Sequence, residues 1–287
     1  MPDTMPDPAT GTLFVVSTPI GNLEDITLRA LRVLRESDLV AAEDTRHTAT
    51  LLQHFGITRP ATSLHEHNES RKVPALVDRL RAGAKIALVT DAGTPGVSDP
   101  GYRLVRAAID AGIRVEAIPG ASAALAALVA SGLPTDAFVF AGFPPPREKA
   151  RDAWLEALRG EKRTVVIFEA PHRVFQTLGA ALRLLGDREV AVGRELTKFH
   201  EEVIRGRLSS VLERLAPPRG EYTIVIGGES KDSAADSAQV DDHQLLAEFG
   251  LLTENGGTRR GSIHEIALRH GMRARDVFAA LDRARRS

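Results

Sequence analysis

Short apolar runs alternate with amphipathic segments along most of this chain, and that alternation restricts it to the α/β class. Gly11 to Ser17 (GTLFVVS), Leu39 to Ala42, Lys85 to Thr90 and Arg114 to Ile118 read as buried strands. Helical patterns run between them. Leu28, Leu31 and Leu34 share one face beside Arg29, Arg32 and Arg35. Leu104, Val105, Ala108 and Ile109 form a second stripe, and an alanine-rich helix runs to Ser131. Apolar strands joined through helices predict a mainly parallel sheet.

Gly132-Leu133-Pro134-Thr135 reads as a boundary. Beyond it, Phe138 to Gly142, Thr164 to Phe168, Glu189 to Val192 and Tyr222 to Ile226 read as strands, and Val174, Leu178, Leu182 and Leu185 form one helical stripe. Glu229 to Asp242 is small, polar and acidic, the composition of a flexible linker. Ser262 to Arg286 reads as a helical unit with Ile263, Ile266, Ala267, Val277, Phe278 and Leu281 as its core and a turn at His270-Gly271-Met272. The expected organisation is an N-terminal α/β domain over 11–133, a second α/β domain over 134–228, a linker over 229–242 and a small helical unit over 243–287. From Gly256 onward that unit carries eight arginines against three acidic residues, so it is basic.

Composition removes several classes of function. The absence of cysteine excludes disulfides, thiolate zinc sites and a cysteine nucleophile. A net charge of −1 provides no global basic field, so any nucleic acid must be held by a local patch. Met1 to Thr10 lacks the apolar core of a signal peptide, and Ala123 to Ala130 is too short to span a bilayer. The expectation is a cytoplasmic protein without membrane association.

Four loops at predicted strand ends are rich in glycine and proline: Thr18 to Asp25 (TPIGNLED), Asp91 to Gly101 (DAGTPGVSDPG), Pro119 to Ala123 (PGASA) and Phe168 to Arg173 (FEAPHR). Any one alone also reads as an ordinary turn. Four together, at the strand ends where open α/β sheets carry ligands, point to a binding cleft. The chain has no Walker-type P-loop, and no glycine-rich dinucleotide fingerprint follows the first strand. None of the four loops contains lysine, which argues against a polyphosphate ligand. S-adenosylmethionine fits better. Its adenine can be read by backbone groups, its carboxylate can sit at the helix N-terminus after Gly120, and its sulfonium favours oxygens over basic side chains.

Seven motifs then occur in order: Thr18-Pro19-Ile20-Gly21-Asn22-Leu23, Ala42-Glu43-Asp44-Thr45-Arg46-His47-Thr48, Leu64-His65-Glu66-His67-Asn68-Glu69, Thr90-Asp91-Ala92-Gly93-Thr94-Pro95, Ser98-Asp99-Pro100-Gly101-Tyr102, Ser131-Gly132-Leu133-Pro134-Thr135-Asp136 and Arg194-Glu195-Leu196-Thr197-Lys198. Together they resemble the bacterial 16S rRNA cytidine 2′-O-methyltransferases of the tetrapyrrole-methylase superfamily, from about Gly11 to Gly228. The resemblance implies a two-domain class III methyltransferase with S-adenosylmethionine between the domains, a homodimer, and a cytidine of the decoding centre in the small ribosomal subunit as target. It places cofactor contacts at Pro19, at Ala92, Gly93, Thr94 and Val97, at Ser122 and Ala123, at Glu169, and at Glu195 and Leu196. The sequence departs from the family pattern at Gly96, where a large apolar residue is expected, at Ala121, where a proline is expected, and at Phe168-Glu169-Ala170, which replaces Tyr-Glu-Ser.

A ribose 2′-hydroxyl must lose its proton as it attacks a methyl group, so a carboxylate near the cleft is a candidate base. Glu43, Asp44, Asp91 and Glu169 all stand at predicted strand ends, with Asp91 and then Glu43 preferred. Asp44 and Asp91 each also read as the cap of a turn or helix. Arg46, His47, His67, Arg173, Arg194 and Lys198 lie on or beside the loops and together could hold RNA phosphates, although each alone also reads as a solvated or ion-paired charge. No metal is expected, since the His65-x-His67 pair has no further ligand at a matching spacing. Two other functions remain open: a methylase of a small tetrapyrrole or corrin, and a non-catalytic RNA-binding module.

Overall fold

The computed structural model of the chain describes residues 11–229, 242–254, 258–269 and 274–284. The leader Met1 to Thr10, the body of the expected linker and the His270-Gly271-Met272 turn lie outside the described residues.

The first domain alternates strand and helix: β1 (Thr12–Val16), α1 (Leu28–Glu36), β2 (Leu39–Ala42), α2 (Thr45–His54), β3 (Ala61–Ser63), α3 (Glu69–Arg81), β4 (Lys85–Val89), α4 (Tyr102–Asp110) and β5 (Arg114–Ile118). All five strands are parallel, in the order β3-β2-β4-β1-β5. Both faces are covered, which explains the uninterrupted apolar strands. Leu39, Ala41, Ile86 and Leu88 face α3 and α4, whereas Val40, Ala42, Ala87 and Val89 face α1 and α2. Helix α1 buries Ala30, Leu31, Val33 and Leu34. Leu28, expected on that face, stands at the first turn and is exposed. Ile109 of α4 is likewise exposed, while Leu104 and Ala108 carry the helix packing.

The second domain contains β6 (Phe138–Gly142), α6 (Glu148–Ala157), β7 (Thr164–Glu169), α7 (Val174–Leu185), β8 (Glu189–Arg194), β9 (Glu202–Arg207), α8 (Leu208–Arg214) and β10 (Tyr222–Ile226). Its order is β6-β7-β10-β8-β9, with only the β6–β7 pair parallel. Helices α6, α7 and α8 cover one face. The other face takes α5 (Ala123–Ser131), whose Ala124, Ala127 and Leu128 pack with Val166, Ala191 and Val225. The helix that precedes the expected boundary at Gly132 therefore packs on the second sheet. Ile20 of the first loop joins the same cluster, so one apolar core ties the two domains together.

The C-terminal unit consists of α9 (Asp242–Glu254), α10 (Arg259–Arg269) and α11 (Ala274–Ala284). Ile263, Ile266, Ala267, Val277 and Leu281 form its core, as their spacing predicts. Phe278 does not join them. It is exposed, and the Arg259 guanidinium lies 5.6 Å from its ring centroid. Leu245 and Phe249 of α9 fill the core instead. No helix among the described residues is long and apolar enough to cross a membrane.

Candidate active site between the domains

A cleft of about 760 Å³ opens between the sheets, bounded by the carboxyl ends of β1 and β5, the Asp91 to Gly101 loop, the start of α5 and the end of β7. Its first-domain wall is backbone-rich. Thr18 and Gly93 exchange two backbone hydrogen bonds, Thr18 N–H to Gly93 at 2.8 Å and Gly93 N–H to Thr18 at 3.1 Å. This bridge holds the first loop against the second. Gly93 has φ +81°, a conformation that any β-branched residue would resist. Gly120 allows a different close approach: a Cβ there would stand 2.9 Å from the Ser17 Cβ. Ser122 caps α5 by accepting the Leu125 N–H, and with Ala123 it brings the positive end of that helix to the cleft lining.

The second loop is braced from below. Glu69, buried at the start of α3, accepts the N–H groups of Gly101 and Arg103, each at 3.1 Å. Asn68 accepts the His65 N–H at 3.0 Å, which sets the turn that delivers Glu69. The His65 to Glu69 motif is thus the foundation of a cofactor-side loop. The His65 and His67 rings lie edge to face, 6.1 Å apart.

Of the expected cofactor residues, Ala92, Gly93, Thr94, Val97, Ser122, Ala123, Glu169 and Leu196 line the cleft. Pro19 is buried behind it and orients the loop, while its neighbours Ser17 and Ile20 provide the surface. Glu195 is not among the lining residues. Its carboxylate takes the Lys198 ammonium at 2.8 Å and the Glu221 N–H at 3.0 Å, and the lysine bond holds its pKa below the ordinary value. No lysine or arginine lines the cleft. A cavity with carboxylates, carbonyls and a helix start, but no cationic side chain, suits a zwitterionic ligand that also carries a sulfonium.

Residues 12–212 match the family described as Tetrapyrrole (Corrin/Porphyrin) Methylases. The chain belongs to that family. It is 46% identical over 260 residues to "Ribosomal RNA small subunit methyltransferase I" of Synechocystis sp., covering 90% of this chain and 92% of the relative. The protein of the same name from Mesorhizobium japonicum is 50% identical over 244 residues, covering 84% of this chain and 82% of the relative. Among solved structures, uroporphyrin-III C-methyl transferase from Thermus thermophilus complexed with S-adenyl homocysteine superposes with a TM-score of 0.54 at 22% identity, covering 76% of this chain and 97% of that one. The methyltransferase CobJ gives 0.57 at 19% identity, covering 76% of this chain and 95% of that one. These two likenesses report the shared fold.

In this methylase the preferred bases lie outside the cleft lining. Asp91 accepts the Asp44 N–H at 3.0 Å through Oδ1 and faces His47 Nδ1 at 3.0 Å through Oδ2. Glu43 accepts the Thr90 hydroxyl at 2.5 Å. Both carboxylates therefore join β2 to β4 rather than face the cavity. Asp44 caps α2 and binds Arg46, which holds its carboxyl far below the ordinary range. Glu169 reaches the cleft, but its side chain is wholly buried and engaged by Arg173 at 2.6 Å and by Thr177.

The expected RNA residues separate into two groups. Arg46, His47 and His67 are exposed around the first-domain loops, Arg46 and His47 with Asp44 and Asp91 as partners. Arg173, Arg194 and Lys198 are ion-paired, with Glu169, with Glu202 at 3.2 Å, and with Glu195 and Glu221 respectively. Their first role is to brace the second-domain loops.

Asp99 belongs to the Ser98-Asp99-Pro100-Gly101-Tyr102 motif, but the sequence reading gave it no site role. It lines the cleft, and its pKa is raised to about 6. Burial is the main cause, the nearby Glu43 and Asp91 charges add to it, and a hydrogen bond with Thr90 opposes it.

Proposed function

We propose that this methylase transfers a methyl group from S-adenosylmethionine to the ribose 2′-hydroxyl of a cytidine in the decoding centre of 16S rRNA. The observation that carries the reading is the 46% identity over 90% of the chain to a relative named as a small-subunit rRNA methyltransferase. The reading includes a homodimer and a cytoplasmic location, both implied by the family resemblance. The small-tetrapyrrole alternative draws on the description of the family and on structures under 25% identical, which speak for the fold, whereas the relatives that match most of the chain are named for small-subunit rRNA.

The cleft residues fit the donor. The α5 start at Ser122 and Ala123 suits its carboxylate, and Asp99 suits its ammonium group. Gly93 and Thr94 give the backbone approach that a nucleoside needs. When bound, S-adenosylmethionine supplies an electrophilic methyl group on sulfur. The chain's contribution is to orient the 2′-oxygen in line with that group and to exclude competing water, with the hydroxyl proton leaving to solvent. Asp91 and Glu43 hold the loops that do this.

The test is incubation of the purified protein with labelled S-adenosylmethionine and either small ribosomal subunits or uroporphyrinogen. Label in the RNA supports the reading, and label in the tetrapyrrole overturns it.

A further inference from the structure

The cleft has an aromatic wall that contacts within the chain do not use up. Phe143 follows β6 and stands 51% exposed where it lines the cavity. Behind it, Phe168 lies 5.5 Å away between ring centroids, tilted by 59°, and also lines the cleft. Phe168 is in turn 4.9 Å from Phe140, edge to face. Phe140 and Phe168 pack against the interdomain core, so the outermost ring rests on a fixed base.

The backbone carrying Phe143 is held as well. The Pro144 carbonyl accepts a hydrogen bond from Arg173 at 3.2 Å, and Arg173 is locked to Glu169. Pro144-Pro145-Pro146 restricts the chain further. A half-bare ring backed by Phe168 and carried on a proline-restricted segment is a flat surface presented to the cleft.

We propose that Phe143 is the stacking surface for the nucleobase of the RNA nucleotide whose ribose is methylated, with Phe168 fixing its ring. This rests on the rRNA reading above and adds how the nucleotide is held. A ribose enters such a cleft only when its base has left the helical stack, and aromatic faces are how proteins hold splayed bases. With no lysine or arginine in the lining, the cavity is suited to the base and not to the phosphate. A phenylalanine has no polar edge, so it gives affinity without choosing the base. The adenine of the donor has the same flat chemistry. The substrate base is favoured because Phe143 is the more exposed ring and follows β6 of the second domain, whereas Gly93, Thr94 and Asp99, the groups suited to the donor, belong to the first domain.

The experiment compares wild type with Phe143→Leu and Phe143→Trp. Phe143→Leu is expected to raise KM for small-subunit RNA about tenfold or more, with donor affinity changed less than about twofold. Phe143→Trp is expected to restore KM. Its emission should be quenched by an oligoribonucleotide with an unpaired cytidine, but not by S-adenosylhomocysteine alone. The native tryptophan, Trp154, packs against the second-domain core and supplies a constant background. An unchanged KM in Phe143→Leu would overturn the proposal. So would a loss of donor affinity with KM intact, or quenching by S-adenosylhomocysteine alone, either of which assigns the ring to the donor. If wild type binds donor but methylates no rRNA, the function reading fails and quenching decides separately: RNA-dependent quenching keeps the platform, and its absence removes it.

Discussion

Asp91 and His47 meet across two loops, with Asp91 Oδ2 3.0 Å from His47 Nδ1, while the other carboxylate oxygen accepts the Asp44 N–H. This joins the ends of β2 and β4 just outside the cleft. The contact separates two roles for Asp91, a proton acceptor and a brace, and its geometry is that of a brace. Asp91→Asn is expected to lower stability by about 0.5–1.5 kcal/mol and to leave turnover at saturating donor within a few-fold of wild type. A turnover loss of about 10²–10⁴-fold at unchanged melting temperature would make Asp91 the base.

Asp99 gives a pH dependence with a definite sign. Its folded-state pKa of about 6 exceeds the ordinary 3.8, so between those values the folded protein holds the extra proton. This group therefore costs stability at neutral pH, and the cost is relieved as pH falls through that window. A donor ammonium beside Asp99 needs the ionised form. Donor affinity should be constant above about pH 7 and fall as pH drops through about 6, by up to about tenfold per unit. Asp99→Asn should abolish that dependence and weaken binding at neutral pH without lowering the melting temperature. Calorimetric titration across the pH range, with a melting curve at each point, measures both effects. A wild-type affinity that is flat from pH 5 to 8 contradicts this role.

Glu69 offers a test of loop support. Glu69→Ala leaves the Gly101 and Arg103 N–H groups without their buried acceptor, at a cost of about 1–3 kcal/mol. Donor affinity should fall with it. Glu69→Gln keeps an acceptor oxygen at the same place and should recover most of both losses. If the glutamine variant behaves like the alanine one, the carboxylate charge matters and simple bracing is wrong.

Gly93→Val places a β-branched residue at φ +81°. The strain is of order 1–3 kcal/mol and falls on the loop that bridges to Thr18. The fold should survive, because a Cβ meets nothing closer than the Ile20 side chain at 3.5 Å. Donor binding should be lost. Circular dichroism and calorimetry on one sample check both, and wild-type affinity in a folded variant would take this loop out of the site.

What the sequence made legible follows from where each element lies. Strands buried on two faces, such as β2 and β4, show as continuous apolar runs. Two of the four edge strands, β3 (Ala61–Ser63) and β9 (Glu202–Arg207), do not: β3 is three residues long, and β9 interrupts Val203 and Ile204 with Glu202, Arg205 and Arg207. Helix α5 is apolar on all sides, a pattern that does not say which face packs on which sheet: Ala124, Ala127 and Leu128 are buried while Leu125 and Val129 are exposed. The glycine and proline loops announced the cleft, since close approach needs those residues. Asp99 and Phe143 did not stand out. An aspartate before proline resembles a turn, and a phenylalanine after a strand resembles core. Only their placement on the cleft wall distinguishes them.

The function proposed for this methylase is modification of a ribose 2′-oxygen of a cytidine in 16S rRNA. The direct measurement is nucleotide-resolution mapping of 2′-O-methylation, by mass spectrometry of nuclease fragments, in unmodified small-subunit rRNA treated with the protein and S-adenosylmethionine. A single new 2′-O-methylcytidine in the decoding centre is the expected result, absent when Gly93→Val protein is used. Methylation on a base nitrogen or carbon, at another nucleotide, or on a tetrapyrrole in place of RNA would contradict it.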